Sequence, residues 1–471
     1  MLRFKRLAGV LTLLLLGAFA SQLSAVAQTL PIKTYLPAIS RMNPPTIFGV
    51  ETGLSAISDS QVTAQAQSLG ATWLRLNGVM WSAVEPVRGT YNWAALSQLD
   101  SDLQHAQAAG LTPVVIIRGT PTWASVTNSN CAAVQDQYFP DYANFLAALA
   151  QRYRGQVSYW ELGNEPDVDP SLVPADSPFG CWGDLNDQYY GGERYGRMLR
   201  AVVPAMRAAN PSMRIVIGGL LLDHPAPAEL GVGDPGMFLD GILRSGAADS
   251  FDILAYHSYP SYIQQPNYDH DLNAGNSWSR SGGWTLGKAK YLRDVMARYG
   301  VNKPLWLNET GLICTPPYAA CSPPSNEFFE AQSDHLVRIM SRAAAADIQQ
   351  VSWYTLDGPG WRSAGLLDAS QSPRPAYSTY KLLIETIGQY TSARSVDYGP
   401  DIEAYRFSQR DGSVVDVLWS RDGSVRGASV PISAHPSAMM ARDGTTPGLS
   451  KDSTNIFVAV GFRPVYIKRA P

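Results

Sequence analysis

The 471-residue sequence predicts an α/β fold: a (β/α)8 TIM barrel followed by a small C-terminal antiparallel β-sandwich domain. Three observations carry this. Eight short apolar runs, rich in β-branched and aromatic residues, recur between residues 46 and 355. Amphipathic helical patterns separate many of them. After about residue 390 the helical period disappears, and short strands broken by Asp-Gly turns replace it.

The predicted strands are Thr46–Glu51, Thr72–Asn77, Pro113–Arg118, Val157–Leu162, Arg214–Leu220, Phe251–His257, Pro304–Asn308 and Gln350–Thr355. Each reads as a near-continuous hydrophobic run, as a parallel strand covered on both faces should. The predicted helices are Ala94–Ala109, Pro140–Tyr153, Tyr189–Ala209, Leu286–Tyr299, Glu327–Ala346 and Ala376–Ile387. In the first of these, Leu96, Leu99, Leu103 and Ala106 share one face and Gly110 follows as a stop. A count of eight favours a closed barrel. The alternative is an open doubly wound sheet, which the absence of a G-x-G-x-x-G or P-loop at any strand end weakens.

Beyond residue 390, Ile402–Ser408, Val414–Ser420 and Asn455–Val460 read as strands. The turns between strands carry Asp411-Gly412, Asp422-Gly423 and Asp443-Gly444. The expected role of this part is to pack against the barrel, with Trp419 in its core; a sugar-binding role is the alternative.

The N-terminus has the form of a secretory signal peptide over residues 1–27. Arg3, Lys5 and Arg6 supply the positive region, Leu7 to Phe19 an apolar run short for a membrane span, and Ala25-Val26-Ala27 a cleavage site. An uncleaved anchor is the alternative. Residues 28–45 form a Pro-rich extended lead-in, residues 46–390 the barrel domain and residues 391–471 the β-sandwich. The four cysteines agree with export. Cys314 and Cys321 are close in sequence and suit a local disulfide, which leaves Cys131 with Cys181. A metal site is disfavoured, because there is no Cys-x-x-Cys and the six histidines do not cluster along the chain. No cofactor is expected.

Net charge is −3 with only 16% charged residues, so neither nucleic acid nor an anionic membrane is an expected partner. Aromatic residues make up 10%, with 12 Trp and 23 Tyr, a composition suited to stacking on sugar rings as well as to a large core.

The chemistry concentrates in two segments. Trp160-Glu161-Leu162-Gly163-Asn164-Glu165-Pro166 ends the fourth strand, and Leu305-Trp306-Leu307-Asn308-Glu309-Thr310 ends the seventh. Barrel enzymes carry their reacting groups at the C-terminal ends of strands. Two strand-end glutamates far apart in sequence supply one proton donor and one base or nucleophile.

These segments resemble the clan of retaining glycoside hydrolases that places two glutamates on strands four and seven, including families 5 (cellulase type) and 39 (xylosidase and iduronidase type). The resemblance spans roughly residues 46–390. It implies Glu165 as acid/base, Glu309 as nucleophile and Asn164 as a ligand of the sugar 2-hydroxyl. Arg75 matches the clan's arginine beside the nucleophile. His257-Ser258-Tyr259 is similar to the His-x-Tyr of cellulase-type members, with Tyr259 on the nucleophile. Trp353 matches the tryptophan flooring the sugar site. Two further blocks resemble those of such families: Trp81…Glu85-Pro86…Trp93 and Gly119-Thr120-Pro121-Thr122-Trp123. The Trp-Glu-Leu-Gly lead-in is nearer the xylosidase type, and strand three offers Arg118 where cellulase-type enzymes often carry a histidine nearby.

The implied function is a secreted retaining hydrolase of β-O-glycosidic bonds in an oligo- or polysaccharide, with carbohydrate as its partner and a monomer as the expected form. Glu165 would need to hold its proton through partial burial and the charge of Glu309, while Glu309 would need Arg75 and Tyr259 to stay ionised. The alternatives are a non-catalytic glycan-binding protein on the same barrel and a transglycosylase. A serine hydrolase lacks its G-x-S-x-G elbow. For single residues, bland readings stand beside these. Glu161, inside its strand, reads as support for the site. Arg75 suits a buried ion pair, His257 a structural histidine and Trp353 barrel packing. Tyr262, Tyr268, Trp278 and Trp284 fit loop anchoring as well as a sugar cleft.

Overall fold

Side-chain alternation along eight parallel strands sets the architecture. The computed structural model describes residues 46–471 apart from 128, 175, 176, 178, 224–231, 274–277 and 317–318. The expected signal peptide (1–27) and lead-in (28–45) lie outside the described residues. The strands are β1 (Phe48–Thr52), β2 (Trp73–Met80), β3 (Thr112–Arg118), β4 (Tyr159–Leu162), β5 (Arg214–Leu220), β6 (Ile253–Ser258), β7 (Leu305–Thr310) and β8 (Ile348–Tyr354). They pair in sequence order, and β1 closes on β8. The predicted closed barrel is what forms.

One parity of each strand faces outward and joins the main core beneath the helices. Leu74, Leu76, Val115, Ile117, Trp160, Leu162, Leu254, Tyr256, Leu307, Val351 and Trp353 belong to this set. The other parity faces the lumen. Near the N-terminal end, Trp73, Val114, Val216, Ile253, Ala255 and Trp306 make a separate apolar plug. Further along the same parity, the residues turn polar: Glu51, Arg75, Glu161 and His257 are all buried. An apolar floor under a polar upper layer is how the barrel presents charge only at its C-terminal mouth.

A helix follows each strand: α1 (Ser60–Leu69), α2 (Ser97–Ala108), α3 (Phe139–Arg152), α4 (Gly192–Ala209), α5 (Phe238–Arg244), α6 (Trp284–Arg298), α7 (Asn326–Ala345) and α8 (Pro375–Ile387). α1 and α5 were not among the predicted helices. α1 buries only Val62, Ala66 and Leu69, a narrow stripe, and is started by the Asp59 side chain, which accepts from Gln61 N and Val62 N. α5 has seven residues, too few to show a period.

The C-terminal strands are β9 (Tyr390–Ser395), β10 (Ile402–Gln409), β11 (Val414–Ser420), β12 (Arg426–Pro431), β13 (Pro436–Ala441), β14 (Leu449–Lys451), β15 (Asn455–Val460) and β16 (Val465–Arg469). They form a five-stranded sheet, β13-β16-β11-β10-β9, and a three-stranded sheet, β12-β15-β14. Ile402, Leu418, Val430, Val458 and Ile467 fill the space between the sheets. The opposite parity of the larger sheet (Phe407, Val415, Val417, Trp419, Tyr466) joins the barrel core. Trp419 is therefore core, as expected. Arg342 of α7 fastens the two parts. It pairs with Asp269 (2.7 Å) and Asp271 (3.1 Å) from the segment after β6 and with Glu403 (2.9 Å) of β10.

Candidate active site

The lumen mouth is organised by one arginine. Arg75, on β2, is fully buried. Its Nε and Nη2 donate to the two oxygens of Glu161, at 2.8 Å each. Its Nη1 donates to both Glu51 and Glu309, and its Nη2 also to Asn164 Oδ1 at 2.6 Å. A guanidinium presents five donors in a fixed plane, so one side chain can orient four groups from three strand ends. Glu161 is anchored again by the backbone N–H of Gly219 (2.9 Å), and Glu51 by Asn77 Nδ2 (2.8 Å).

Glu309 ends β7 and meets Arg75 with one oxygen. Its other oxygen accepts from Tyr259 Oη at 2.6 Å and lies 3.4 Å from His257 Nδ1. Burial pushes its pKa up, but His257, Arg75 and the hydrogen bonds from Tyr259 and Arg75 outweigh this and hold the carboxyl below its usual range. Glu51 behaves oppositely. Burial, reinforced by the charges of Glu309 and Glu161, pushes it well above the usual carboxylate range, although Arg75 pulls the other way. Burial and the adjacent Glu309 charge also raise the Tyr259 phenol well above its ordinary value, so it stays a donor.

Glu165 sits just past β4, in a turn where Gly163 has φ 87° and Glu165 itself φ 47°. A left-handed glutamate is uncommon and persists only where its surroundings fix it. Its N–H donates to Gly219 O at 3.0 Å, and His257 Nδ1 lies 2.9 Å from its Oε1. Reacting-atom candidates of Glu165, His257 and Glu309 all fall within 4.8 Å of one another. Gly219 makes this approach available. A Cβ there would lie 2.1 Å from His257 Nε2 and 2.5 Å from Asn308 Oδ1.

The site residues anticipated from the sequence mostly converge on this point. Glu165, Glu309, Arg75, Asn164, His257 and Tyr259 form one connected network. Trp353 does not join it. On β8 it belongs to the outward parity, is fully buried, and donates Nε1 to Ala364 O at 2.9 Å. The inward aromatic is its neighbour Tyr354, whose ring lies 6.0 Å from that of Tyr259. A strand turns successive side chains to opposite faces, so a one-residue step moves a ring from the mouth to the helix layer. Tyr354 lines a cavity of about 290 Å³ with Glu51, Asn77, Asp357 and Trp361. None of these was singled out as a site residue. The signal that finds Glu51, Asn77 and Tyr354 is inward parity at a strand end; Asp357 and Trp361 lie on the loop after β8 and carry no such signal. Trp361 is 45% exposed at the cavity rim. A larger cavity, about 840 Å³, opens at the opposite end of the barrel around Trp73, Tyr159 and Trp306, away from these carboxylates.

Tyr262 and Trp278 are buried loop anchors, Trp278 donating to Leu222 O at 3.1 Å. The cysteines pair as expected, Cys131 with Cys181 and Cys314 with Cys321. The first bridge ties the loops after β3 and β4, and the second closes the loop after β7.

A family model described as cellulase, glycosyl hydrolase family 5, matches residues 39–353. Over 90 residues the chain is 29% identical to endo-1,4-beta-xylanase 1 of Gibberella zeae, a stretch covering 19% of this chain and 24% of the xylanase. The chain thus aligns with about a quarter of the length of that curated relative. Among solved structures, a family 39 glycoside hydrolase from Bacteroides cellulosilyticus WH2 shares the fold at TM-score 0.68 and 19% identity, over 90% of this chain and 81% of that one. A family 30 subfamily 8 xylanase from Clostridium acetobutylicum does so at TM-score 0.57 and 12% identity, over 90% and 96%. An alpha-L-arabinofuranosidase from Thermotoga maritima gives TM-score 0.53 at 14% identity, over 90% and 96%. With the family model spanning the whole barrel from β1 to the end of β8, the chain belongs to the cellulase family of glycosyl hydrolases, family 5.

Proposed function

We propose that this protein is a secreted retaining hydrolase of β-O-glycosidic bonds in an oligo- or polysaccharide, working by double displacement. The observation that carries the reading is carboxylate spacing. One carboxyl oxygen of Glu165 lies within 4.8 Å of one carboxyl oxygen of Glu309. Retaining enzymes hold their carboxyls about 5–5.5 Å apart, whereas inverting enzymes leave about 6.5–9.5 Å for a water.

Glu309, kept ionised by Arg75 and Tyr259, attacks the anomeric carbon. Glu165 gives its proton to the departing glycosidic oxygen, which is a poor leaving group until protonated. In the second step Glu165 takes a proton from water, and that water releases the sugar with its original configuration. Asn164 is turned by Arg75 through its Oδ1, which leaves its Nδ2 to donate to the sugar 2-hydroxyl. His257, against both glutamates, positions them. The substrate class we favour is a β-linked plant, microbial or exopolysaccharide glycan; the partial likeness to an endo-1,4-beta-xylanase supports a plant-type backbone.

Residues 1–27 act as a signal peptide in this reading, 28–45 as a lead-in, 46–390 as the catalytic domain and 391–471 as a supporting β-sandwich. Two disulfides support passage through an oxidising compartment. No helix among the described residues is long and apolar enough to cross a membrane.

The test is turnover of aryl β-glycosides and a polysaccharide panel, with the anomer of the first product followed by NMR. Retention is expected, together with loss of activity in Glu309→Ala. In Glu165→Ala, external azide should restore turnover of substrates with good leaving groups. Undiminished hydrolysis by Glu309→Ala would remove it as nucleophile, and products longer than the substrate would mark a transglycosylase.

A further inference from the structure

The double displacement above leaves one charged side chain at the mouth without a task. Arg118 ends β3 and continues the inward series Val114, Ile116. Its Nε is buried without a hydrogen-bond partner, and among the described residues no carboxylate pairs with its guanidinium. The fully buried arginines are engaged: Arg75 and Arg342 each meet three carboxylates, Arg442 meets Glu330 and Asp334, and Arg338, whose Nε is also unpartnered, donates Nη2 to Phe462 O and lies over the Phe462 ring. Arg118 lies within electrostatic reach of Glu51, Glu309, Arg75 and Tyr354. Its place at the C-terminal end of β3, on the inward parity, puts it at the barrel mouth with these groups. It also borders Gly163 and Asn164 in the turn that carries Glu165.

Arg118 is half-buried, and a guanidinium nitrogen held out of water with no partner calls for one. Its planar fork matches the paired oxygens of a carboxylate or a sulfate ester better than a lone hydroxyl. The protein's own carboxylates do not fill it, since Glu51, Glu161 and Glu309 are all turned to Arg75. We propose that Arg118 is a specificity residue that binds an anionic substituent, a hexuronate carboxylate or a sulfate, on the sugar next to the cleaved bond, so that the preferred substrate is an acidic glycan. This rests on the glycosidase reading above and adds the chemical class of its substrate.

The experiment compares kcat/KM of the wild type, Arg118→Met and Arg118→Lys on four matched substrates. These are hexuronate-bearing oligosaccharides, the same oligosaccharides after carboxyl reduction, sulfated oligosaccharides, and their desulfated forms. The wild type should favour the acidic member of one pair over its neutral counterpart. Arg118→Met should lose about 10- to 100-fold on that acidic substrate, the range of a charge-assisted hydrogen-bond pair, and less than about threefold on its neutral counterpart. Arg118→Lys should recover part of the loss, as a point charge without the fork. Which pair responds separates carboxylate from sulfate. Equal wild-type rates within both pairs overturn the proposal. So does an equal loss on acidic and neutral members, which would mean that Arg118 acts only through the field at Glu309. If the wild type turns over no glycan and no aryl glycoside, the glycosidase reading fails instead. Calorimetric binding of the same oligosaccharides to wild type and Arg118→Met then still decides the role of Arg118: weaker binding of the acidic member alone supports it, and equal binding overturns it.

Discussion

Replacing Tyr259 by Phe isolates what keeps Glu309 ionised. The phenol donates to Glu309 Oε2 at 2.6 Å within a buried site. A hydrogen bond to a charged group contributes about 1.5–3 kcal/mol. At about 1.4 kcal/mol per pKa unit, its loss should raise the Glu309 pKa by about one to two units. The direction follows from which form is favoured. The hydroxyl stabilises only the carboxylate, so without it protons bind more readily. The acidic limb of the kcat/KM–pH profile should then move to higher pH by the same one to two units. Phe keeps the ring that meets Tyr354 and Trp361 at 6.0 and 5.5 Å, so packing is largely retained. Well above the shifted limb the variant should remain within about tenfold of wild type, because Arg75 still orients the carboxylate. The assay is initial rate on an aryl β-glycoside between pH 3 and 9, with fluorescence-monitored folding at each pH. An unmoved acidic limb, or one displaced to lower pH, would refute the assignment of Tyr259 as the group that stabilises ionised Glu309.

Four further outcomes are expected. Gly219→Ala places a methyl 2.1 Å from His257 Nε2; displacing the imidazole from both glutamates should cut kcat about 100-fold with the fold retained by circular dichroism. Tyr354→Ala should raise KM on oligosaccharides with little change in urea stability, whereas Trp353→Ala, which empties a buried site in the helix layer, should lose about 3–5 kcal/mol in urea denaturation. The pair Cys131→Ala/Cys181→Ala opens a link between residues 50 apart and should cost about 4 kcal/mol by the chain-entropy relation; Cys314→Ala/Cys321→Ala, seven apart, should cost about 2 kcal/mol. Arg342→Met leaves Asp269 and Asp271 buried without their ion-pair partner and Glu403 with Arg421 alone, and should cost about 3–5 kcal/mol by the same measurement. Burial pushes Asp269 up, but Arg342 outweighs it and holds the carboxyl below its usual range. Its contribution is thus present above about pH 4 and lost on acidification in the wild type, and that acid-side loss should shrink in Arg342→Met.

The barrel was legible because its strands are buried on both faces and read as apolar runs, a signal local to each run. The β-sandwich was legible only in its deepest strands. β10, β11 and β15 carry mostly apolar, β-branched or aromatic runs, whereas β9 (Tyr-Thr-Ser-Ala-Arg-Ser) and β14 (Leu-Ser-Lys) lie at sheet edges, hold polar residues and owe their conformation to a neighbour. At the site, motif spacing located Glu165 and Glu309, because a carboxylate at a strand end is a property of the strand that bears it. The aromatic on β8 was misplaced by one residue for a different reason. Both Trp353 and Tyr354 are aromatic, and only the register with β7 and β1 tells which faces inward. Glu51 and Asn77 also end their strands but carry no Asn-Glu motif beside them, and so were passed over. They become site residues only when closure brings β1 and β2 beside β8.

That dependence has an electrostatic consequence. Three carboxyls share one guanidinium, and three full negative charges against a single positive one in a buried lumen would be costly. The molecule resolves the excess unevenly. Glu309 has Tyr259 and His257 in addition to Arg75 and is held below the usual range; Glu51 has only Asn77 in addition and is pushed well above it. Glu51 therefore binds a proton more readily than Glu309 does, on the wall of the 290 Å³ cavity. Glu309 and Glu51 thus share Arg75 yet are pushed in opposite directions, Glu309 down by its added partners and Glu51 up by burial and the neighbouring negative charges. Pairs of acids pushed apart in this way are how a site assigns different duties to identical side chains. Arg75→Met should therefore disturb both glutamates at once, with a loss in kcat/KM larger than that of Tyr259→Phe, which acts on Glu309 alone.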